Sequence, residues 1–294
     1  MVNEENIIVK CGCKGVRFCK FCKDSERIKK LTFQEDPFKN HTIYVYSSLH
    51  KKAFLSNLTH QASINEIIEE TEKLNSLSSD EIKNIEHIDI KGLLLYKNFI
   101  NQEEEDFLVN RIDKKEWKLS QSGRRKQDYG PQVAFKYQKV KIHRFIGMPD
   151  YSDMILERMK HISERDLGHY QPFELCNLEY DESRLSSIDM HKDDTWIWGN
   201  RLISLNLLNG SIMSLEHSEE KKLCYVHMPR RSLLCMFDDS RYIWSHAIFP
   251  KHIIGRRIAL TMREPAPAFL EGGEMYESFG KELIRLGNIR ISTV

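Results

Sequence analysis

From about Glu174 onward the hydrophobic positions fall into short runs: FELCNLEY, RLISLNLL, IMSLEHS, LCYVHMP, SLLCMF, YIWSHAIF and RRIALTMR. Each is of strand length and is separated from the next by turn residues, which predicts an antiparallel sandwich or barrel. Upstream the period changes. SDMILERMKHISER sets Ile155, Met159 and Ile162 on one helical face, and Asn101 followed by Glu104 forms a capping box opening the helix QEEEDFLVNRID. IKGLLLYKNF before it reads as a buried strand. Residues 31–89 are uneven: IYVY suits a short strand, and SINEIIEETEKLNSL carries Ile64, Ile67, Ile68 and Leu74 near helical spacing, so a variable connector with one surface helix is expected. A helix over SFGKELIRLG and a tail close the chain at 271–294. No repeat of fixed period is evident, and the whole reads as α+β, mainly β, with helices covering one face of the strands.

At 294 residues and a net charge of +1, the chain has no global electrostatic drive toward nucleic acid or an acidic membrane. Its longest aliphatic runs are too short to span a bilayer, and MVNEENIIVK lacks the apolar stretch of a signal peptide, so a cytoplasmic and nuclear protein is expected. Four of the seven cysteines, Cys11, Cys13, Cys19 and Cys22, crowd into CGCKGVRFCKFC. In a reducing compartment the Cys-x-x-Cys end suits a zinc knuckle, with reduced thiols on an exposed arm as the alternative. Residues 10–30 also hold eight Lys or Arg against two acids, so the 1–30 arm offers a local basic patch in a nearly neutral chain.

The stretch IDMHKDDTWIWG concentrates His191, Asp193, Asp194, Trp196 and Trp198. A His-x-Asp pair is common by chance, and a second one stands at His87 and Asp89. On a strand, residues i and i+2 share a face, so His191 and Asp193 could reach one ion, and His246 supplies a third ligand downstream. Two histidines and a carboxylate leave coordination positions open, as non-haem Fe(II) oxygenases require. In GRRIALTMRE, Arg257, Ala259, Thr261 and Arg263 point one way and Ile258, Leu260 and Met262 the other. Two inward arginines want anions, and their separation suits the two ends of a small dicarboxylate such as 2-oxoglutarate. From His87 and Asp89 a histidine follows at His143, but no Arg-x5-Arg pair follows within the next thirty residues, and that alternative fails on its context. If the strand continues past Asp193, Asp194, Trp196 and Trp198 face away from the ion.

With these residues in place, the sequence resembles the AlkB family of Fe(II)/2-oxoglutarate-dependent dioxygenases over roughly residues 90–270. The resemblance implies a double-stranded β-helix (jelly-roll) core, with His191, Asp193 and His246 as iron ligands and Arg257 and Arg263 on the cosubstrate. CNLEY is similar to the family's Asn-x-Tyr element, one residue longer, which implies that Tyr180 and Asn177 also seat 2-oxoglutarate. CGCKG with its following CxxC, WKLSQSGRRKQDYGP, CNLEY, RLISLNLL and HAI together resemble the homologue-four branch of the family. That branch implies oxidative N-demethylation with release of formaldehyde, of monomethyl-lysine in actin first, with N6-methyladenine in DNA as the alternative. Thr195, where the bacterial repair enzyme has a second carboxylate, weighs against simple base repair. The family places its substrate lid at SQSGRRKQDYG, where Arg124, Arg125, Lys126 and Tyr129 are either contacts to an anionic substrate or a solvated loop, and where Trp117 and Tyr129 are either packing or a methyl-lysine cage. A reading from another class is a weakly catalytic interaction protein that docks through the cysteine arm.

Overall fold

A computed structural model describes residues 11–31, 36–163 and 169–293. Two seven-stranded sheets dominate it. The first runs, in spatial order, Ile188–His191, Ser245–Ile248, Ser211–His217, Lys222–Met228, Thr42–Ser47, Lys52–Leu55 and His87–Ile88. The second runs Leu93–Tyr96, Leu233–Met236, Trp198–Leu207, Arg256–Pro265, Glu174–Asp181, Arg125–Tyr129 and Lys118–Leu119. From Glu174 the chain passes repeatedly between the sheets, as a double-stranded β-helix requires, and within these two sheets pairing is antiparallel except where Thr42–Ser47 lies parallel to Lys222–Met228.

Alternation along the strands makes three apolar layers. Between the sheets lie Tyr44, Tyr46, Met213, Leu215 and Val226 from the first, and Tyr180, Leu202, Leu234, Met236 and Ala259 from the second. On the outer face of the second sheet, Leu175, Leu205, Ile258, Leu260 and Met262 bury the helices Gln102–Asp113, Ser152–Ser163 and Lys281–Gly287 through Leu108, Ile112, Ile155, Met159 and Leu283. On the outer face of the first, Ile43, Val45, Ile212 and Tyr225 receive Ile64, Ile67 and Leu74 of the helix Ile64–Ser76. The third residue expected on the Ser152–Ser163 face, Ile162, lies outside the described side chains. The Asn101 carboxamide accepts from the Glu104 amide at 2.9 Å and the Glu104 carboxylate accepts from the Asn101 amide at 2.8 Å, the capping box expected from sequence.

Residues 31–89 are a correction. Rather than a connector, they add three strands to the first sheet and a helix over its outer face. The pattern concealed this because TIYVYS is buried on both faces after its first residue and shows no alternation. The closing tail is also tied down, with Arg290–Ile291 pairing alongside Met148–Pro149. No helix among the described residues is long and apolar enough to cross a membrane.

Candidate active site

The metal-ligand candidates come from adjacent strands of the first sheet. His191 closes Ile188–His191 and pairs in register with His246 on Ser245–Ile248. The rings stand 4.3 Å apart between centroids, and Asp193, just past the strand, brings Oδ2 to 3.9 Å from His246 Nε2. One ligand atom from each of the three residues falls within 4.8 Å of the others. His191 Nδ1 lies 2.7 Å from the Asp189 carbonyl, so it carries the proton and leaves Nε2 with a free lone pair. Burial pushes the His246 imidazole down to about 3, which keeps it neutral. Burial opposes ionisation of Asp193, but the charge of its neighbours, Arg263 first, outweighs it and holds the carboxyl well below the usual carboxylate range. Two imidazoles and an ionised carboxylate on one side of a cavity fit a divalent transition metal with open coordination positions.

The strand Arg256–Pro265 runs along the opposite wall. Arg257, Ala259, Thr261 and Arg263 face the cavity, and Ile258, Leu260 and Met262 face the helices, as the alternation predicts. Arg257 is 1% exposed; its Nε donates to Asn206 Oδ1 at 2.5 Å, its guanidinium lies 4.9 Å from the Tyr180 ring centroid, and its Nη1 is buried without a partner. A buried cation with a spare donor at the end of a cavity is matched by a carboxylate. Arg263 differs: Nη1 donates to Glu174 at 2.7 Å and Nη2 to Asp193 at 3.0 Å, leaving only the buried Nε unpartnered. The two-ended arginine grip is therefore corrected. Arg263 already has its anions and orients Asp193, while Arg257 holds the free charge.

The expectation for Asn177 is corrected as well. It lies in the outer phase of Glu174–Asp181, between Tyr151 Oη at 2.7 Å and Gln127 Oε1 at 2.9 Å. Because Tyr180 faces the cavity, its same-face neighbour is Leu178, not Asn177. Asn206, one strand over, is the asparagine that braces Arg257, and nothing in its local sequence marks it.

The expected lid divides by the same alternation. Arg124 stacks 5.9 Å from the Tyr180 ring, and Lys126 borders the cleft and pairs with Asp128 at 2.8 Å. Arg125 and Tyr129 do not belong to it. Arg125 binds the buried carboxylate of Glu179, which also receives Arg184 and Arg256 at 2.7 Å, and Tyr129 packs edge-on to Tyr151. Trp117 lies within 6.0 Å of both the Arg125 and Arg256 guanidinium groups on that outer side.

The chain does not continue as strand past Asp193, which corrects the phase expected for the tryptophans. Asp194 Oδ1 accepts the Trp196 and Ile197 amides at 2.8 and 3.3 Å, making a turn. Trp196 goes to Phe269, but Trp198 returns to the site under the Arg263 guanidinium at 5.7 Å. A cavity of about 460 Å³ opens over His191 and Asp193 between Arg17, Arg124, Phe135, Lys192 and Trp198. Beside it a cleft of about 370 Å³ runs under the hairpin formed by Gln132–Ala134 and Lys139–Lys141, which the sequence did not reveal. Arg241, also missed, is 2% exposed and donates to the carbonyls of Asp193 and Asp194 at 2.7 and 2.8 Å. The four arm cysteines converge as a second potential metal set, with Cys19 buried.

Two histidines and an aspartate facing a buried arginine across the cavity of a double-stranded β-helix define a non-haem iron oxygenase of the 2-oxoglutarate class. No family model matches the chain. It is 54% identical over 282 residues to a DNA N6-methyl adenine demethylase of Caenorhabditis elegans, covering 96% of this chain and 95% of that protein. It is 33% identical over 310 residues to the human alpha-ketoglutarate-dependent dioxygenase alkB homolog 4, covering 95% of this chain and 94% of that protein. The mouse alkB homolog 4 is 39% identical over 224 residues, 66% of this chain and 74% of that protein. The chain belongs to the AlkB family of 2-oxoglutarate-dependent dioxygenases.

Proposed function

We propose that this enzyme removes the N6-methyl group of methyladenine in DNA, with iron held by His191, Asp193 and His246, and with Arg257 and Tyr180 seating the distal carboxylate of 2-oxoglutarate. Fe(II) held by these residues would, with dioxygen and with 2-oxoglutarate leaving as succinate and carbon dioxide, supply the oxidation that turns an N-methyl group into formaldehyde and a free amine. The chain's own part is positional. Arg263 and Arg241 fix Asp193 from its side chain and its backbone, the Asp189 carbonyl fixes the His191 tautomer, and the apolar wall of Leu178, Leu202 and Met213 keeps water from the cavity.

The character of the mouth carries the choice of substrate. Lys139, Lys141 and Lys192 border it without an acidic partner among the described residues, while of its carboxylates Asp128 and Asp189 are paired with Lys126 and Arg17, Glu174 and Asp193 share Arg263, and Asp194 takes the Trp196 and Ile197 amides. A surplus of free cations attracts a phosphate backbone and repels a methyl-lysine. The half-exposed Phe135 at the mouth offers a stacking face to an unstacked base, with the buried Trp198 packed beneath Arg263 behind it. Trp117 and Tyr129, the aromatics that a lysine cage would have used, are packed on the far side of the sheet. The 54% identical nematode relative, named for N6-methyladenine in DNA, supports the same order of substrates and reverses the sequence-based preference for actin.

The test sets an N6-methyladenine oligonucleotide beside a monomethyl-lysine actin peptide, with the full chain, Fe(II) and 2-oxoglutarate. Formaldehyde release is expected from the oligonucleotide, steeply weakened by salt, and lost in His191→Ala and Asp193→Ala. Turnover of the peptide alone would overturn the proposal.

A further inference from the structure

The cysteine arm is no loose appendage. Cys11, Cys13, Cys19 and Cys22 bring their sulfurs within 4.8 Å of one another, and those of Cys19 and Cys22 are 3.9 Å apart. A tetrahedral ion with Zn–S bonds of about 2.3 Å sets its sulfurs about 3.8 Å apart, whereas a disulfide needs about 2.05 Å. The Cys19 amide donates to the Cys22 sulfur at 3.4 Å, and Arg27 Nη2 reaches the same sulfur at 3.5 Å. A bound divalent cation is what would hold all four sulfurs as thiolates. The surrounding Lys14, Arg17, Lys20, Lys23 and Arg27 offset the negative charge that four thiolates leave on a divalent ion.

The second observation is where this turn sits. The Ser122 and Gly123 amides face the Cys13 sulfur, and the Lys20 amide donates to the Arg184 carbonyl at 3.1 Å. Arg184 Nε in turn donates to the Gly123 carbonyl at 2.8 Å, and the Ser187 amide to the Ser122 carbonyl at 3.0 Å. The fit is close enough that a Cβ on Gly12 would stand 2.5 Å from the Ser120 carbonyl oxygen. Arg17 leaves the turn to pair with Asp189 at 3.1 Å and Gln121 at 2.5 Å, and borders the cavity over His191. The loop 120–124 is thus clamped between the cysteine turn on one side and the approach to His191 on the other.

We propose that Cys11, Cys13, Cys19 and Cys22 bind one zinc ion, and that the turn it staples forms a wall of the active-site mouth, setting the 120–124 loop and presenting the outer Nη2 of Arg17, which Asp189 on Nε and Gln121 on Nη1 leave over, to a phosphate of the bound strand. Only the phosphate rests on the nucleic-acid reading above; the metal and the wall stand without it.

The experiment uses the full chain. Metal analysis should find one zinc per wild-type chain in addition to iron, and none in Cys22→Ser. Hydrogen exchange should then speed up strongly at residues 118–126 in Cys22→Ser while Thr42–Ser47 keeps wild-type protection. Arg17→Ala should keep its zinc and its slow exchange at 118–126, yet raise KM for the methylated oligonucleotide several-fold with kcat little changed, and Arg17→Lys should recover part of that loss. Zinc absent from the wild-type chain, wild-type exchange at 118–126 in the zinc-free variant, or exchange rising equally at Thr42–Ser47 would each overturn the wall. An oligonucleotide that the wild type never demethylates, with zinc count and exchange as expected, would instead refute the substrate reading and remove the phosphate from Arg17.

Discussion

Replacing Arg241 by alanine is the sharpest probe of how the iron ligands are held. Arg241 touches no ligand side chain. It lies on the short helix Asp238–Tyr242 and reaches under the turn after His191, with its strong bonds to the Asp193 and Asp194 carbonyls and longer ones, at 3.4 Å, to those of Trp198 and Gly199. Hydrogen bonds to a charged donor contribute ~1.5–3 kcal/mol each. Two short ones would give ~3–6 kcal/mol, reduced because the substitution also removes a buried charge and because the turn can take up water, so a loss of ~2–4 kcal/mol is expected. At about 2–4 °C per kcal/mol for a domain of this size, Tm should fall by ~5–15 °C. The larger effect should be on the metal: groups that orient ligands are worth about 10–100-fold in affinity or activity. Anaerobic Fe(II) titration of Arg241→Ala, with 2-oxoglutarate decarboxylation at saturating iron as a second readout, measures it. Arg241→Lys keeps the charge but not the fork, and should recover stability better than iron affinity. If Tm falls as expected while the iron Kd stays within about twofold of wild type, Arg241 braces the fold without positioning Asp193, and the reasoning fails.

Three further outcomes follow from the same structure. Arg257→Lys should raise KM for 2-oxoglutarate about 10–100-fold, the equivalent of one charge-assisted bond, with a smaller change in kcat; an unchanged KM would remove Arg257 from the cosubstrate. Glu179→Gln strands Arg125, Arg184 and Arg256 around a neutral amide and should cost ~3–5 kcal/mol in denaturant unfolding. Although burial raises the Glu179 pKa, its arginines lower it further, below the ordinary 4.5, so its stabilisation is complete above that pH and is lost as pH falls through the folded value. Wild type should accordingly lose more Tm than the glutamine variant on acidification below about pH 4.5, and parallel losses would argue against the ion cluster. Exchanging Lys139 and Lys141 for glutamate should weaken oligonucleotide binding and flatten its dependence on salt, measured by fluorescence anisotropy; an unaltered salt slope would place the nucleic acid elsewhere.

What the sequence determined by itself is whatever depends on short-range periodicity and on residue chemistry. The strand runs after Glu174, the Asn101–Glu104 cap and the inward phase of Arg257 to Arg263 are local consequences of backbone geometry, and each is where the pattern put it. The convergence of His191, Asp193 and His246 was also legible, because few arrangements of those residue types with the later arginines serve any other chemistry. Only the tertiary structure decided what depends on which strand lies beside which. Thr42–Ser47 is central because it pairs with Lys222–Met228, far away in the chain. Asn206 rather than Asn177 serves Arg257 because the pleat turns Asn177 outward, and Arg241 finds the Asp193 turn because the helix carrying it packs beside the Trp198–Leu207 strand. Local pattern records which face a side chain takes; it does not record what stands opposite that face, and partnership across a sandwich is settled only when the sheets close.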